Sequence, residues 1–180
     1  MKRIILVLFI LLLSSVGFCQ SYLGWITKKT NLFEGPGTDY NIIMSLKSGT
    51  QIFIISLNDE NEFYNVIDLV TNTEGFVQKS KVKIGDVVYK SDQKIFTPSG
   101  KIHSYNPEVQ IYNNTNLTLT LKLNDVNYTF SPQESQTLTL QPGSYEYRAT
   151  APGVVPNFGT EYLEKNEGYS WRFYLIKERR

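Results

Sequence analysis

Apolar and polar residues alternate along several stretches of the chain beyond residue 19. The clearest stretch runs from Leu117 to Leu123, where four leucines are separated by Thr118, Thr120 and Lys122. Successive side chains of a β-strand point to opposite faces, so this spacing places every leucine on one face. No later stretch shows the three- and four-residue spacing of an amphipathic helix. The pattern predicts an all-β protein.

Further alternating stretches lie at 145–149 and 169–175. Turn-forming residues separate them, at Asn124-Asp125, Pro142-Gly143 and Asn166-Glu167-Gly168. Short strands divided by turns at such intervals are typical of sandwiches and barrels. We therefore expect residues 108–180 to form an immunoglobulin-like β-sandwich of six or seven strands.

The segment 20–84 has a different pattern, with short apolar runs between glycine turns. Gly35-Pro36-Gly37 suits a tight reversal, because proline fixes φ and glycine tolerates positive φ. The run Ile52–Ile55 contains no polar residue, which predicts burial on both faces of a small barrel. Gly75 predicts a close approach between two backbones.

Five pieces of this segment follow one another in a specific order. They are the runs 30–43, 46–50 and 51–56, followed by Phe63-Tyr64-Asn65-Val66 and Glu74-Gly75-Phe76-Val77, and the first run contains Gly35-Pro36-Gly37. Together they resemble bacterial Src-homology-3 (SH3) domains. The chain departs from that family at Phe63 and Phe76, where tryptophan is usual, and at Phe33, where arginine is usual. The resemblance implies an SH3-like barrel that binds cell-wall or envelope peptides without chemistry.

The resemblance also implies a set of candidate ligand-binding residues: Trp25, Phe33, Glu34, Asp39, Tyr40 and Tyr64. Aromatic surfaces with a few polar groups suit peptide recognition, and a role in packing is the alternative for each residue. Phe33 follows the core-facing Leu32, so alternation predicts that its ring points outward. There it would meet a partner or pack against the second module.

The start of the chain has the pattern of a secretory signal peptide, assigned to residues 1–19. Basic Lys2 and Arg3 precede the apolar run Ile4–Leu13, and small residues follow at Gly17 and Cys19. The apolar run is shorter than the roughly 20 residues of a membrane-spanning helix. We expect cleavage after Cys19, an exported protein in the periplasm or outside the cell, and membrane contact only through the transient signal peptide.

Few residues could carry chemistry. The chain has one histidine, His103, and its one cysteine lies in the predicted signal peptide, so no metal site and no thiol nucleophile are expected. Neither a Gly-x-Ser-x-Gly motif nor a phosphate-binding loop is present. The 18 basic residues nearly balance 17 acidic ones, which gives no electrostatic reason to expect nucleic acid. We predict a protein that is not an enzyme, with no cofactor.

Residues 85–107 are predicted to be a linker, because the alternation fades and turn residues cluster there. The apolar pair Ile95-Phe96 is the exception and could belong to an edge strand of either module. The leading hypothesis is an exported binding module whose SH3-like domain recognises a cell-envelope or peptidoglycan-related peptide, with the sandwich positioning it. The alternative is a structural or adhesion protein that binds another envelope protein.

Overall fold

The computed structural model describes residues 20–175, so the predicted signal peptide and the last five residues lie outside the described part. That part contains fifteen β-strands and one short 3-10 turn, Lys79–Lys81. The all-β fold predicted from the alternation of side chains is confirmed. Within residues 20–175, no helix is long and apolar enough to cross a membrane.

The first module is a seven-stranded antiparallel sheet with the strand order β3-β2-β6-β5-β4-β1-β7. Its core receives Leu46 from β3 at one end of that order and is contacted by Val82 from β7 at the other. The sheet must therefore curl around one core. The strands are β1 (Ser21–Ile26), β2 (Thr30–Phe33), β3 (Ile42–Leu46), β4 (Gln51–Ile54), β5 (Phe63–Asp68), β6 (Thr73–Gln78) and β7 (Val82–Val88).

Strand β4 is buried on both faces. Ile52 and Ile54 point into the core of the first module, whereas Phe53 points to the opposite face. There its ring meets Phe158 of the second module edge-on, with centroids 5.8 Å apart. The burial predicted for the run Ile52–Ile55 is confirmed for its first three residues, and the second module covers one of the two faces.

Gly75 lets β6 pass close beneath β2. A Cβ atom at this position would lie 2.7 Å from the Phe33 carbonyl oxygen and 2.8 Å from Leu32 Cγ. Both distances are shorter than ordinary van der Waals contact, so only glycine fits without a shift of the neighbouring strand. The close approach predicted from the sequence is confirmed.

The second module consists of two four-stranded sheets that share one core. Their orders are β11-β10-β13-β14 and β12-β9-β15-β8, and β9 and β15 form the parallel pair. Leu119, Leu121 and Leu123 point into this core, as their alternation predicted. The strands are β8 (Thr97–Lys101), β9 (Glu108–Asn113), β10 (Leu119–Leu123), β11 (Val126–Phe130), β12 (Ser135–Thr139), β13 (Gly143–Thr150), β14 (Asn157–Leu163) and β15 (Glu167–Phe173).

The connection between the modules is narrower than the predicted linker, 85–107. β7 continues beyond residue 84 because it pairs with β1 as far as Val88, opposite Ser21. β8 is an edge strand of the sandwich, and its five residues are all exposed, so no alternation marks it. Phe96 immediately before it is buried in the sandwich core.

Polar contacts also join the two modules. Arg148 of β13 forms an ion pair with Glu74 of β6, and the Asn65 side-chain amide donates to the other Glu74 oxygen at 3.1 Å. Burial lowers the pKa of Arg148, and the Glu74 carboxylate opposes that effect. In the segment that connects the modules, the backbone N–H of Ser91 donates to the Phe158 carbonyl oxygen at 2.8 Å. The modules are thus held together by apolar and charged contacts.

Candidate functional site

The structure separates the six predicted binding residues by exposure. Phe33 and Tyr64 are buried, and Trp25 is partly buried. Glu34, Asp39 and Tyr40 are exposed on one loop. The exposed three therefore remain as candidates for direct contact with a ligand.

Phe33 does not point outward as predicted. The pairing of β2 with β3 shifts register between Leu32 and Phe33, and such an irregularity breaks the alternation of faces. Both side chains are consequently buried, and Phe33 is 6% exposed. Its ring meets Phe63 edge-on, with centroids 5.8 Å apart, inside the first module. The prediction of an exposed ring was wrong because a register shift leaves no mark on a period-two pattern.

Tyr64 and Trp25 have packing roles. Tyr64 belongs to the core of the first module, and the Lys79 ammonium lies 5.8 Å from its ring centroid. Asp59 accepts a hydrogen bond from that ammonium at 2.7 Å and so raises the pKa of Lys79. The Trp25 ring lies across Gly85 of β7, where a Cβ atom would collide with it. Within residues 20–175, no side-chain hydrogen bond or ring contact joins Tyr64 or Trp25 to the exposed loop.

Hydrogen bonds join the two ends of the loop between β2 and β3, which carries Tyr40. The Glu34 backbone N–H donates to the Asn41 carbonyl oxygen at 3.0 Å, and the Asn41 side-chain amide donates to the Glu34 carboxylate at 2.9 Å. Inside the loop, the Gly37 N–H donates to the Gly35 carbonyl oxygen at 2.9 Å. The Tyr40 ring rests directly on Gly35, whose missing Cβ makes room for it. The ring is therefore held in place.

Two further features fix this loop. The Asn61 side-chain amide donates to the Pro36 carbonyl oxygen at 3.3 Å, which ties the loop to the turn before β5. The Asp39 carboxylate and the Tyr40 ring both lie beside Gly37, within contact distance of where its Cβ would be. An acidic group and an aromatic ring are thus presented side by side.

Strand β3 extends this surface with two isoleucines. Tyr40, Ile42 and Ile43 are 48%, 57% and 40% exposed, and β3 is the end strand of its sheet. We call Glu34, Asp39, Tyr40, Ile42 and Ile43 the loop surface. The sequence reasoning did not single out the isoleucines. Their adjacency was the available sign, because neighbouring strand residues point to opposite faces.

The loop surface combines carboxylates with apolar side chains. Glu34 and Asp39 form no ion pair within residues 20–175, so both carboxylates can accept from a ligand. The Tyr40 ring beside Asp39, and the exposed Ile42 and Ile43 on the strand that follows the loop, offer apolar contact. In the same part of the chain, no cluster of three or more histidine, cysteine or acidic residues is placed to hold a metal ion.

No protein-family model, curated protein or solved structure matches this chain. The loop surface is accordingly defined by its own geometry.

Proposed function

We propose that the protein is an exported, non-catalytic binding module whose SH3-like first module recognises a cell-envelope or peptidoglycan-related peptide. The observation that carries this proposal is the loop surface, where the exposed Tyr40 ring lies beside the Asp39 carboxylate, and where Glu34 and Asp39 form no ion pair within residues 20–175. Rigid aromatic residues give contact area at a low cost in conformational entropy. A preformed surface of this kind favours binding over catalysis.

The charge of the loop surface favours a ligand with a free amino group. Glu34 and Asp39 would accept charge-assisted hydrogen bonds from an ammonium, which are stronger than neutral ones. Tyr40 would contact the aliphatic part of the same ligand. A wall peptide with an amine-bearing side chain has both features.

The immunoglobulin-like second module would position the first. The Phe53–Phe158 contact and the Glu74–Arg148 ion pair support this role, because they couple one module to the other on the face away from the first module's core. A ligand held by the loop surface would then have a defined orientation relative to the sandwich.

Co-sedimentation with protein-free peptidoglycan sacculi tests the proposal. Protein beginning at residue 20 should pellet with sacculi at low salt, and binding should weaken as salt screens the two carboxylates. Tyr40→Ala should reduce the bound fraction several-fold, whereas Tyr105→Ala, which removes a still more exposed ring from the second module, should not. Equal binding by both variants, or no pelleting of the wild type, would remove the wall-peptide proposal.

The second candidate is a structural or adhesion protein that binds another envelope protein. The exposed Ile42 and Ile43 on an end strand favour it, because apolar edge strands readily pair with other chains. This candidate predicts capture of a purified envelope protein, with no binding to sacculi, and loss of that capture in Ile42→Lys.

A further inference from the structure

An open strand edge lies in the second module, far along the chain from the loop surface. β8 pairs with β15 only as far as Thr97, opposite Ser170. On its other side, β15 stays paired with β9 through Phe173. Residues Trp171–Phe173 therefore have a strand neighbour on one side, and no strand of residues 20–175 on the other.

The chain that precedes β8 does not fill this gap, because it is held by the opposite sheet. Ser91 forms a bridge with Gly159 of β14. The backbone N–H groups of Ile95 and Phe96 both donate to the Glu161 carboxylate, a buried side chain of β14. Segment 91–96 thus runs along β14, and a groove of about 520 Å³ remains between it and the end of β15.

Polar and apolar side chains both line the groove, and the apolar ones are mainly aromatic. Trp171 is partly buried and meets Phe96 and Phe173 edge-on, with centroids 6.0 and 5.7 Å away. Ile95 lines the opposite wall, and Tyr174 is largely exposed at the end of the groove. Aromatic rings held by such contacts have little freedom to lose when a ligand binds.

The charges in the groove are all positive. Lys94 and Arg172 line it together with polar and apolar residues, and no aspartate or glutamate is among the lining residues. Neither cation forms an ion pair within residues 20–175. The Arg172 guanidinium lies 5.5 Å from the Tyr112 ring centroid, which fixes its position without neutralising it.

We propose that this groove binds an extended, acidic peptide segment of a partner protein by adding it as a strand to β15. Backbone groups of alternate residues point to each side of a strand, and the Phe173 carbonyl oxygen accepts from the Asn114 N–H on the β9 side. Arg172 is therefore the residue of Trp171–Phe173 whose N–H and C=O groups face the groove. Such an edge accepts an extended peptide through main-chain hydrogen bonds, and side-chain pockets select among peptides. Here the pockets select apolar and acidic side chains.

The chain's own last residues are a poorer match in charge. Residues 176–180 carry three basic side chains and one acidic one. Lys94 and Arg172 would repel a basic segment and attract an acidic one. Charge therefore favours a partner protein over the end of this chain.

Selection from a random peptide library displayed on phage supplies the probe. Protein beginning at residue 20 should enrich peptides that combine β-branched or aromatic residues with aspartate or glutamate. The most enriched peptide, labelled with fluorescein, should bind Lys94→Gln/Arg172→Gln at least about tenfold more weakly, because charge-assisted hydrogen bonds are lost. The control Lys28→Gln/Lys165→Gln removes two exposed cations elsewhere and should bind normally. No enrichment, or equal loss in both variants, would overturn the proposal.

Backbone methylation tests the strand geometry. Two copies of the selected peptide, methylated on alternate sets of amide nitrogens, should differ: the set facing β15 abolishes binding and the other set leaves it intact. Equal binding by both copies would rule out strand addition. Folding of each protein variant is checked by its circular dichroism, so a binding loss in a folded variant is a loss at the groove.

Tryptophan emission tests where the selected peptide binds. Trp25→Phe leaves Trp171 as the single tryptophan of the chain, and its emission should change when the peptide binds. Unchanged emission would place the peptide elsewhere and contradict the proposal.

Truncation tests whether the last residues of the chain compete with the selected peptide. A chain ending at Leu175 should bind the peptide as the longer chain does. An affinity increase of about tenfold or more would show that the chain's own end occupies the groove, and would overturn the assignment to a partner protein.

Discussion

In the first module, the side chains offered to a ligand stand on a loop and carry negative charge, whereas in the second they line a strand edge and carry positive charge. Glu34 and Asp39 flank Tyr40 in one case, and Lys94 and Arg172 flank Trp171 in the other. One all-β chain thus exposes two surfaces of opposite charge, one on a loop and one along a strand edge. Loop residues make a compact platform, while a strand edge makes a linear one.

The two surfaces are joined through the face that covers β4. Phe53 is fully buried there against Phe158. Whether the loop surface and the groove keep a fixed placement therefore depends on whether the two modules behave as one unit. One tryptophan lies in each module, which allows each to be followed separately: Trp25 in the first and Trp171 in the second.

The largest expected effect comes from Phe53→Ala. Removing a buried aromatic ring costs about 3–5 kcal/mol, and coupling should pass part of that loss to the second module. In a Trp25→Phe background, urea unfolding followed by Trp171 emission should move to lower urea concentration. The control Val126→Ala, at an exposed position of the second module, should leave the midpoint in place. A Trp171 transition unaffected by Phe53→Ala would mean that the modules unfold independently.

Glu74→Gln should have a smaller effect on the same coupling. It leaves the Arg148 guanidinium, whose side chain is 13% exposed, without its carboxylate partner. A buried charge that loses its partner costs about 1–3 kcal/mol when the pair is partly solvated. The melting temperature of Glu74→Gln is compared with that of Glu134→Gln, which removes a carboxylate within the second module. The comparison separates loss of the ion pair from a general change of charge. Equal melting temperatures for the two variants would show that the ion pair contributes nothing to the contact.

Much of the fold was predictable because alternation and glycine positions report local geometry directly. The leucine strand β10, the two-sided burial of β4 and the close approach at Gly75 all followed from the residues themselves. Phe33 was misplaced because the register shift beside Leu32 depends on how β2 pairs with β3. That pairing depends on both strands, so the sequence of one strand alone does not predict it.

The loop surface and the groove also differ in how far the sequence predicts them. The exposure of Glu34, Asp39 and Tyr40 is within reach of the sequence, because residues around a Gly-Pro-Gly reversal lie on the outside. The groove is not, because it exists only where β8 stops short of the end of β15. β8 itself carries no buried side chain, so its end point leaves no pattern in the sequence.

The central claim is that the loop surface takes an envelope peptide. Its most direct test is a set of amide NMR spectra of the protein from residue 20, recorded as soluble, peptide-bearing peptidoglycan fragments are added. The account predicts shifts concentrated at residues 34–43, with the signals of residues 171–174 in the positively charged groove unchanged. Spectra without shifts, or shifts confined to the second module, would contradict it.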